Sequence, residues 1–419
     1  MRFLFLHYAF PGPFRYLATY LASVPGNTVI FACEFDRNDL HLPGVQKVIL
    51  NKPKPLGRIH DPEKVAATDY AERDICLATR RGAAAADSLL ALRREEGFVP
   101  DVIYASSVMG TSFYVRDVFP EALLAMHADW YYTDEEHSPY SLRRQSAPGL
   151  SYAQARVRNL IQINSLMECH LAVIASACQS RHFPPAVASR MQVMPGGVDT
   201  QFYSPGSERE TNAHLKASSG HELVTFSGRV QESGLVYFLR ALPRLFNSRP
   251  HCRAMILATG SEPGRVEKLR REARALLGRN ADRADILHFA PIKEYRSILR
   301  ASNLHVYYVA PYALSAGMFE ALSCGCLVLG ADTEPVREVI KHGENGFLHD
   351  FVDYQATADV MADLLVRNSS LESVRQASRN SMIEHYDQRV LVRRHEAMLT
   401  RCHEAWLRND LQIIHPNRG

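Results

Sequence analysis

This chain has almost no excess of charge. Its 48 Lys and Arg residues face 45 Asp and Glu residues over 419 positions, so no strong basic field for a nucleic acid is present. Cysteine is sparse and unpatterned. Eight residues without regular spacing argue against a disulfide framework and for the reduced thiols of a cytosolic protein. Cys324 and Cys326 stand two apart with no second ligand pair nearby, so no zinc site is expected. Nor is there a clustered carboxylate site for another metal. No apolar run reaches the roughly 18 residues that a spanning helix needs. The opening MRFLFLHYAFPGPF does not read as a secretory signal, because His7 and Pro11-Gly12-Pro13 interrupt its apolar run. A cytoplasmic protein is expected, and peripheral contact with the inner face of a membrane stays open.

What is present is the composition of a folded soluble protein, 46% hydrophobic and 22% charged, at a length that suits two or three domains. The chain opens with an apolar run, Phe3 to Tyr8, then a Pro-Gly-Pro turn. Phe14, Leu17, Tyr20 and Leu21 follow at helical spacing. Strand, glycine turn and helix in that order open a doubly wound domain, although a plain strand-to-helix turn has the same appearance. Further strands are expected at Thr28–Cys33, Lys47–Leu50, Val102–Ala105, Leu123–Ala125, Leu171–Ala175 and Met191–Met194. A helix-rich stretch covers 62–97, a loop covers Tyr131 to Gly149, and Arg156 to His170 is helical again. Pro195-Gly196-Gly197-Val198-Asp199 closes this block. A second series runs through Leu223–Phe226, Ala254–Leu257, Ile286–Phe289, Leu304–Tyr308, Leu327–Ala331 and Phe347–Leu348. Between these strands the basic stretch Val266–Leu277 reads as a solvated helix face. A helical tract from Val390 to Leu407 and a polar tail finish the chain. Alternating strands and helices predict two α/β domains, each an open and mostly parallel sheet.

The stretch Pro311 to Asp332, PYALSAGMFEALSCGCLVLGAD, lies between two of these strands. Ser315, Ala316 and Gly317 read as a small-residue turn feeding a helix over Met318 to Ser323, with Glu320 in its first turn. A helix N-terminus offers unpaired N–H groups and partial positive charge, so such a turn suits a phosphate. On spacing alone, an ordinary helix start with Glu320 complementing the dipole fits as well.

Five stretches in order carry a family resemblance: FPGPFRYLA, PGGVDTQFYSP, FSGRVQESG, ALSAGMFEALSCGC and EPVREVIKHGENGFL. Together they resemble a retaining glycosyltransferase of family four with the GT-B fold, two Rossmann-like domains facing across a cleft. FPGPFR, EGFVPDVI, RDVFPEA and the DWYY that follows His127–Ala128 resemble a bacterial subgroup of that family. The resemblance implies an acceptor-side domain over 1–200, a nucleotide-sugar domain over 201–385, and a closing segment 386–419 that crosses back to the first domain. It also implies a nucleotide-sugar, such as a UDP- or GDP-sugar, as donor substrate. The acceptor would be a glycan or lipid-linked saccharide, in bacterial surface polysaccharide assembly, with no metal and no cofactor.

Residue by residue, the resemblance implies that Glu320 hydrogen-bonds the donor ribose. Ser315, Ala316, Gly317 and Met318 would meet the diphosphate. Arg229 would stabilise the leaving diphosphate, which a guanidinium can do bidentately, although a surface ion pair is the plain alternative. Gly12 would let backbone approach donor phosphate or sugar, and Ile292 lies where the family's backbone meets the base. His127 lies near where the family carries a histidine that faces the sugar, yet a lone histidine at a strand end is often only a satisfied polar residue. Asp129 would contact the acceptor or cap a turn, and Asp332, Glu334 and Glu338 are weaker candidates. Two positions depart from the family pattern. Tyr312 stands where a sugar-reading glutamate is usual, and Ser233 where a diphosphate lysine is usual; Arg15 or Lys293 could supply charge instead. Losing one charged hydrogen bond costs about 1.5–3 kcal/mol. The departures therefore keep a second reading open, a non-catalytic nucleotide-sugar-binding or transferase-supporting subunit. A third keeps the architecture for an epimerase or phosphorylase.

Overall fold

The computed structural model describes residues 1–37, 39–57, 67–132, 152–206, 221–228, 234–258, 263–309 and 314–410. The chain divides into two compact units, one of 1–135, 144–196 and 389–419, the other of 136–143 and 197–388.

The first unit is built on seven parallel strands in the order β3-β2-β1-β4-β5-β6-β7. These are Arg2–Ala9, Thr28–Phe35, Val45–Ile49, Val102–Ser106, Leu123–His127, Leu171–Ile174 and Met191–Val193, numbered β1 to β7 along the chain. Parallel strands covered on both faces need apolar residues on both, and β1 has them from Phe3 to Leu6. Leu4, Leu6, Ile30 and Ala32 turn to one buried cluster. Phe3, Phe5, Val29 and Phe31 turn to the other. The helix Ala67–Glu95 buries Ala85, Leu89 and Leu92 on the first face. On the second face lie Leu17, Ala18 and Leu21 of the helix Arg15–Ser23. The closing helix Gln388–Leu407 also packs there, through Val392, Met398 and Leu399. Tyr20 Oη donates to Glu396 at 2.7 Å and Trp406 Nε1 donates to the Glu121 carbonyl at 3.2 Å, so this distant stretch is tied down at its middle and near its end.

The second unit has six parallel strands in the order β10-β9-β8-β11-β12-β13. Here β8 is Glu222–Ser227, β9 Cys252–Leu257, β10 Ala284–Leu287, β11 Leu304–Tyr307, β12 Val328–Ala331 and β13 Phe347–His349. Its larger cluster gathers Val224, Phe226, Phe238, Leu242, Val306 and Leu329. A smaller one holds Leu223, Met255, Leu257 and Ile298 on the side of the helix Ile292–Ala301.

The expected strands all form, with ends shifted by at most two residues. β10 stops at Leu287, and Phe289 lies beyond it, 73% exposed. The helix expected from Met318 begins at Ala316. The expected loop over 131–149 lies outside the described residues from 133 onward. All eight cysteines are free, most of them buried. Among the described residues no helix is long and apolar enough to cross a membrane.

In both sheets the strand order reverses once, between β1 and β4 and between β8 and β11. Such a reversal leaves a crevice beyond the carboxyl ends of the two strands, because the connections leave them in opposite directions.

Candidate functional site

In the second unit the reversal point lies beside the helix Ala316–Ser323. Ser315 precedes it in extended conformation, the cap position, yet its side chain makes no capping hydrogen bond. The Ser315 N–H and Oγ instead lie 3.0 and 3.2 Å from Tyr307 Oη at the end of β11. Met318 N reaches the Ser315 carbonyl at 3.4 Å. The N–H groups of Ala316 and Gly317 meet no protein acceptor among the described residues. An uncapped first turn of this kind offers free donors and the positive end of a dipole, features that suit an anion.

Ala316 and Gly317 are thus not a turn ahead of the helix but its first turn. Glu320 becomes the fifth helical residue, one turn in, so its role is not that of a dipole-complementing first-turn acid. It is half-buried and adjoins Tyr295, whose phenol is held well above its ordinary range by burial, with the Glu320 carboxylate adding to the effect. The reason for glycine at 317 is steric. A Cβ there would stand 3.0 Å from Ser227 Oγ and 3.3 Å from Tyr295 Oη. Ile292 is the first residue of its helix and 47% exposed, with Lys293 also exposed after it. Asp332 is ion-paired to Arg337 at 2.6 Å, and this pairing lowers its carboxyl below the ordinary value. Glu334 opens the short helix Glu334–Arg337, and Glu338 follows it. Arg229, Ser233 and Tyr312 lie outside the described residues.

In the first unit the reversal point carries a second group. Gly12 has φ +51, and a Cβ there would stand 2.6 Å from His7 Nδ1. Only glycine permits both the left-handed backbone and the contact with the imidazole. Phe14, two residues on, lies edge-on to both His7 and His127, at 6.1 and 5.8 Å between ring centres. His127 closes β5, half-buried, and its ring has no hydrogen-bond partner among the described residues. Burial, reinforced by His395 and His7, lowers its pKa to about 3. His127 is therefore a neutral imidazole at physiological pH, a hydrogen-bonding group and a weak base. His395 comes from the closing helix, its Nε2 3.4 Å from Tyr104 Oη.

Sequence reasoning missed what fixes the chain after His127. Gln162 Nε2 donates to the Trp130 carbonyl at 2.6 Å and Gln179 Nε2 to the Asp129 carbonyl at 2.8 Å. Asn159 accepts from the Tyr132 N–H at 2.8 Å and donates to its carbonyl at 2.6 Å. Asn159 and Gln162 share the helix Tyr152–Glu168 and Gln179 sits on Ala177–His182, each 27 to 50 positions from the carbonyl or N–H it holds, so no local motif announces them. The Asp129 side chain is exposed while its backbone is clamped.

Two family models match this chain. Residues 25–203 match "Glycosyl transferase family 4 group" and residues 221–367 match "Glycosyl transferases group 1". A D-inositol 3-phosphate glycosyltransferase of Nocardiopsis dassonvillei is 30% identical over 43% of this chain and 44% of its own length. One of Corynebacterium jeikeium is 23% identical over 68% of each chain. The chain thus spans less than half the length of the first of these relatives. Among solved structures, Anabaena HepE in complex with UDP and glucose superposes with a TM-score of 0.72 at 16% identity, over 96% of this chain and 100% of its own. Sucrose-phosphate synthase from Thermosynechococcus elongatus gives 0.73 at 15%, over 97% and 100%. With both halves matched in order and each sheet wound as the fold requires, the chain belongs to the family-four glycosyltransferases of GT-B fold.

Proposed function

We propose that this protein transfers a sugar from a nucleotide-sugar donor to a glycan or lipid-linked saccharide, without a metal and with retention of anomeric configuration. The observation that carries the reading is the uncapped first turn at Ala316 and Gly317 with Glu320 one turn in. Backbone N–H groups suit a diphosphate, and a carboxylate one turn away suits paired ribose hydroxyls. Arg229 directly follows Gly228, after the end of β8, and would neutralise charge on the leaving diphosphate. The donor's own phosphate would take the acceptor proton on the same face, since a neutral His127 is a poor base. His127 would instead donate a hydrogen bond to a sugar hydroxyl, and Gly12 would admit the donor to the backbone. HepE, a structural relative, is known in complex with UDP and glucose, which makes UDP the first donor base to try. The same reading assigns the protein a role in bacterial surface glycoconjugate assembly, at the inner face of the membrane.

Calorimetry with UDP, GDP, ADP and dTDP tests the reading, with wild type beside Glu320→Ala and Arg229→Ala. One nucleotide should bind, and each substitution should weaken it by about tenfold or more, the range of a charged hydrogen bond. Folded wild type that binds none at millimolar concentration would overturn it. Tyr312 and Ser233 would then favour the non-catalytic subunit.

A further inference from the structure

The second unit buries an unbroken row of polar side chains where a parallel sheet ordinarily buries aliphatic ones. Thr225 and His305 are direct register partners on β8 and β11. Thr225 Oγ1 lies 2.7 Å from Ser302 Oγ and 2.8 Å from His305 Nδ1. His305 Nε2 lies 3.5 Å from Ser227 Oγ, two residues further along β8, and Ser227 is hydrogen-bonded to Tyr295. Thr225 and His305 are completely buried, Ser302 and Ser227 nearly so, and none of the five groups has a buried polar atom left without a partner.

A row of this kind costs desolvation at every member, and once fully paired it becomes rigid. Its position gives that rigidity a use. The row ends at Ser227 and Tyr295, and those two hydroxyls are the atoms that a Cβ on Gly317 would strike. They form the floor under the first turn of the helix Ala316–Ser323. Ser227 is also the last residue of β8, directly before Gly228 and Arg229.

Resting on the donor-binding reading above, we propose that His305 is a positioning residue for the diphosphate site. Held from behind by Thr225, which Ser302 in turn anchors, its imidazole sets the Ser227 hydroxyl and, through it, Tyr295. The two hydroxyls hold the Ala316 and Gly317 N–H groups at the height and angle a diphosphate oxygen needs. N–H hydrogen bonds weaken steeply once distance or angle departs from the optimum, so a small shift of the floor is felt at the ligand. Burial lowers the His305 pKa to about 3, so the ring is neutral and can donate at one nitrogen while accepting at the other.

The test compares wild type with His305→Phe, His305→Asn and Ser227→Ala, reading the Kd for UDP and the three other nucleotides together with the melting curve. His305→Phe fills the volume without the hydrogen bonds, and His305→Asn keeps a polar group toward Thr225. We expect His305→Phe and Ser227→Ala to weaken binding about tenfold while still melting cooperatively. His305→Asn should recover at least half of that loss on a logarithmic scale. Wild-type affinity in Ser227→Ala, or in a folded His305→Phe, would overturn the inference alone. Equal losses in His305→Asn and His305→Phe would also overturn it, since packing rather than hydrogen bonding would then be at work. Wild type that binds no nucleotide would overturn the donor-binding reading and this inference with it.

Discussion

Gly12 and Gly317 show how much of a candidate site rests on missing side chains. At Gly12 the backbone is left-handed and the His7 ring occupies the space of a Cβ. Gly12→Ala should therefore lower the melting temperature and displace the turn that carries Phe14 against His127. At Gly317 the backbone is ordinary helix, and the obstacle is the pair of hydroxyls 3.0 and 3.3 Å away. Gly317→Ala should leave the melting temperature within a few degrees and weaken nucleotide binding about tenfold, as lifting one donor from its acceptor would. An alanine variant that binds as wild type would mean that the first turn does not hold the ligand. Both glycines could be singled out in the sequence. The reasons they are needed, His7 in one case and Ser227 with Tyr295 in the other, lie on other elements and could not.

The helix Ala316–Ser323 is the element on which the reading depends, and its start is unusual for having a serine at the cap position that does not cap. Tyr307 draws the serine away. A carboxylate at that position would close the first turn and complement the dipole. Ser315→Asp should therefore raise the melting temperature slightly, by the equivalent of about 0.5–1 kcal/mol, while weakening nucleotide binding through competition and repulsion. A variant that gains stability and keeps its affinity would place the anion elsewhere. The closing helix Gln388–Leu407 makes a different kind of contribution, since Leu399 is fully buried against the first sheet. Leu399→Ala should cost about 2–5 kcal/mol by denaturant unfolding, with nucleotide affinity per folded molecule unchanged.

Taken as a whole, the molecule buries imidazoles that stay neutral. The pKa values of His127 and His305 are lowered to about 3, and those of His170 and His395 to about 4, all from an ordinary value of 6.5. As pH falls below 6.5 the unfolded chain takes up protons that the folded chain refuses. Stability is therefore full above that pH and is lost on the way down to the folded values. Each such group removes up to about 1.4 kcal/mol per pH unit within its window. The melting temperature should fall between pH 6.5 and 5, before most carboxylates titrate, and His395→Gln should flatten part of that fall. A melting temperature constant over this range would show that these rings are hydrated in the native state.

Periodicity was enough to place every strand, because apolar runs buried on both faces have few other readings at that length. The alternation of strands with helices was enough for two doubly wound domains. The helix over 316–323 was legible too, but its first residue was not. Ala316 and Gly317 have poor contrast with a turn, and the contact of Ser315 with the Tyr307 hydroxyl, which takes the serine from its capping role, lies between different elements. Spacing singled out Glu320, Gly317 and Gly12, and the family resemblance added His127, each by itself. The order of the strands in each sheet decided which of them stand together, by bringing β8 beside β11 and β1 beside β4. The buried hydroxyl row, the amides around residues 129–132 and His395 belong to the tertiary structure alone, since hydrogen bonds between residues tens or hundreds of positions apart leave no period in a sequence.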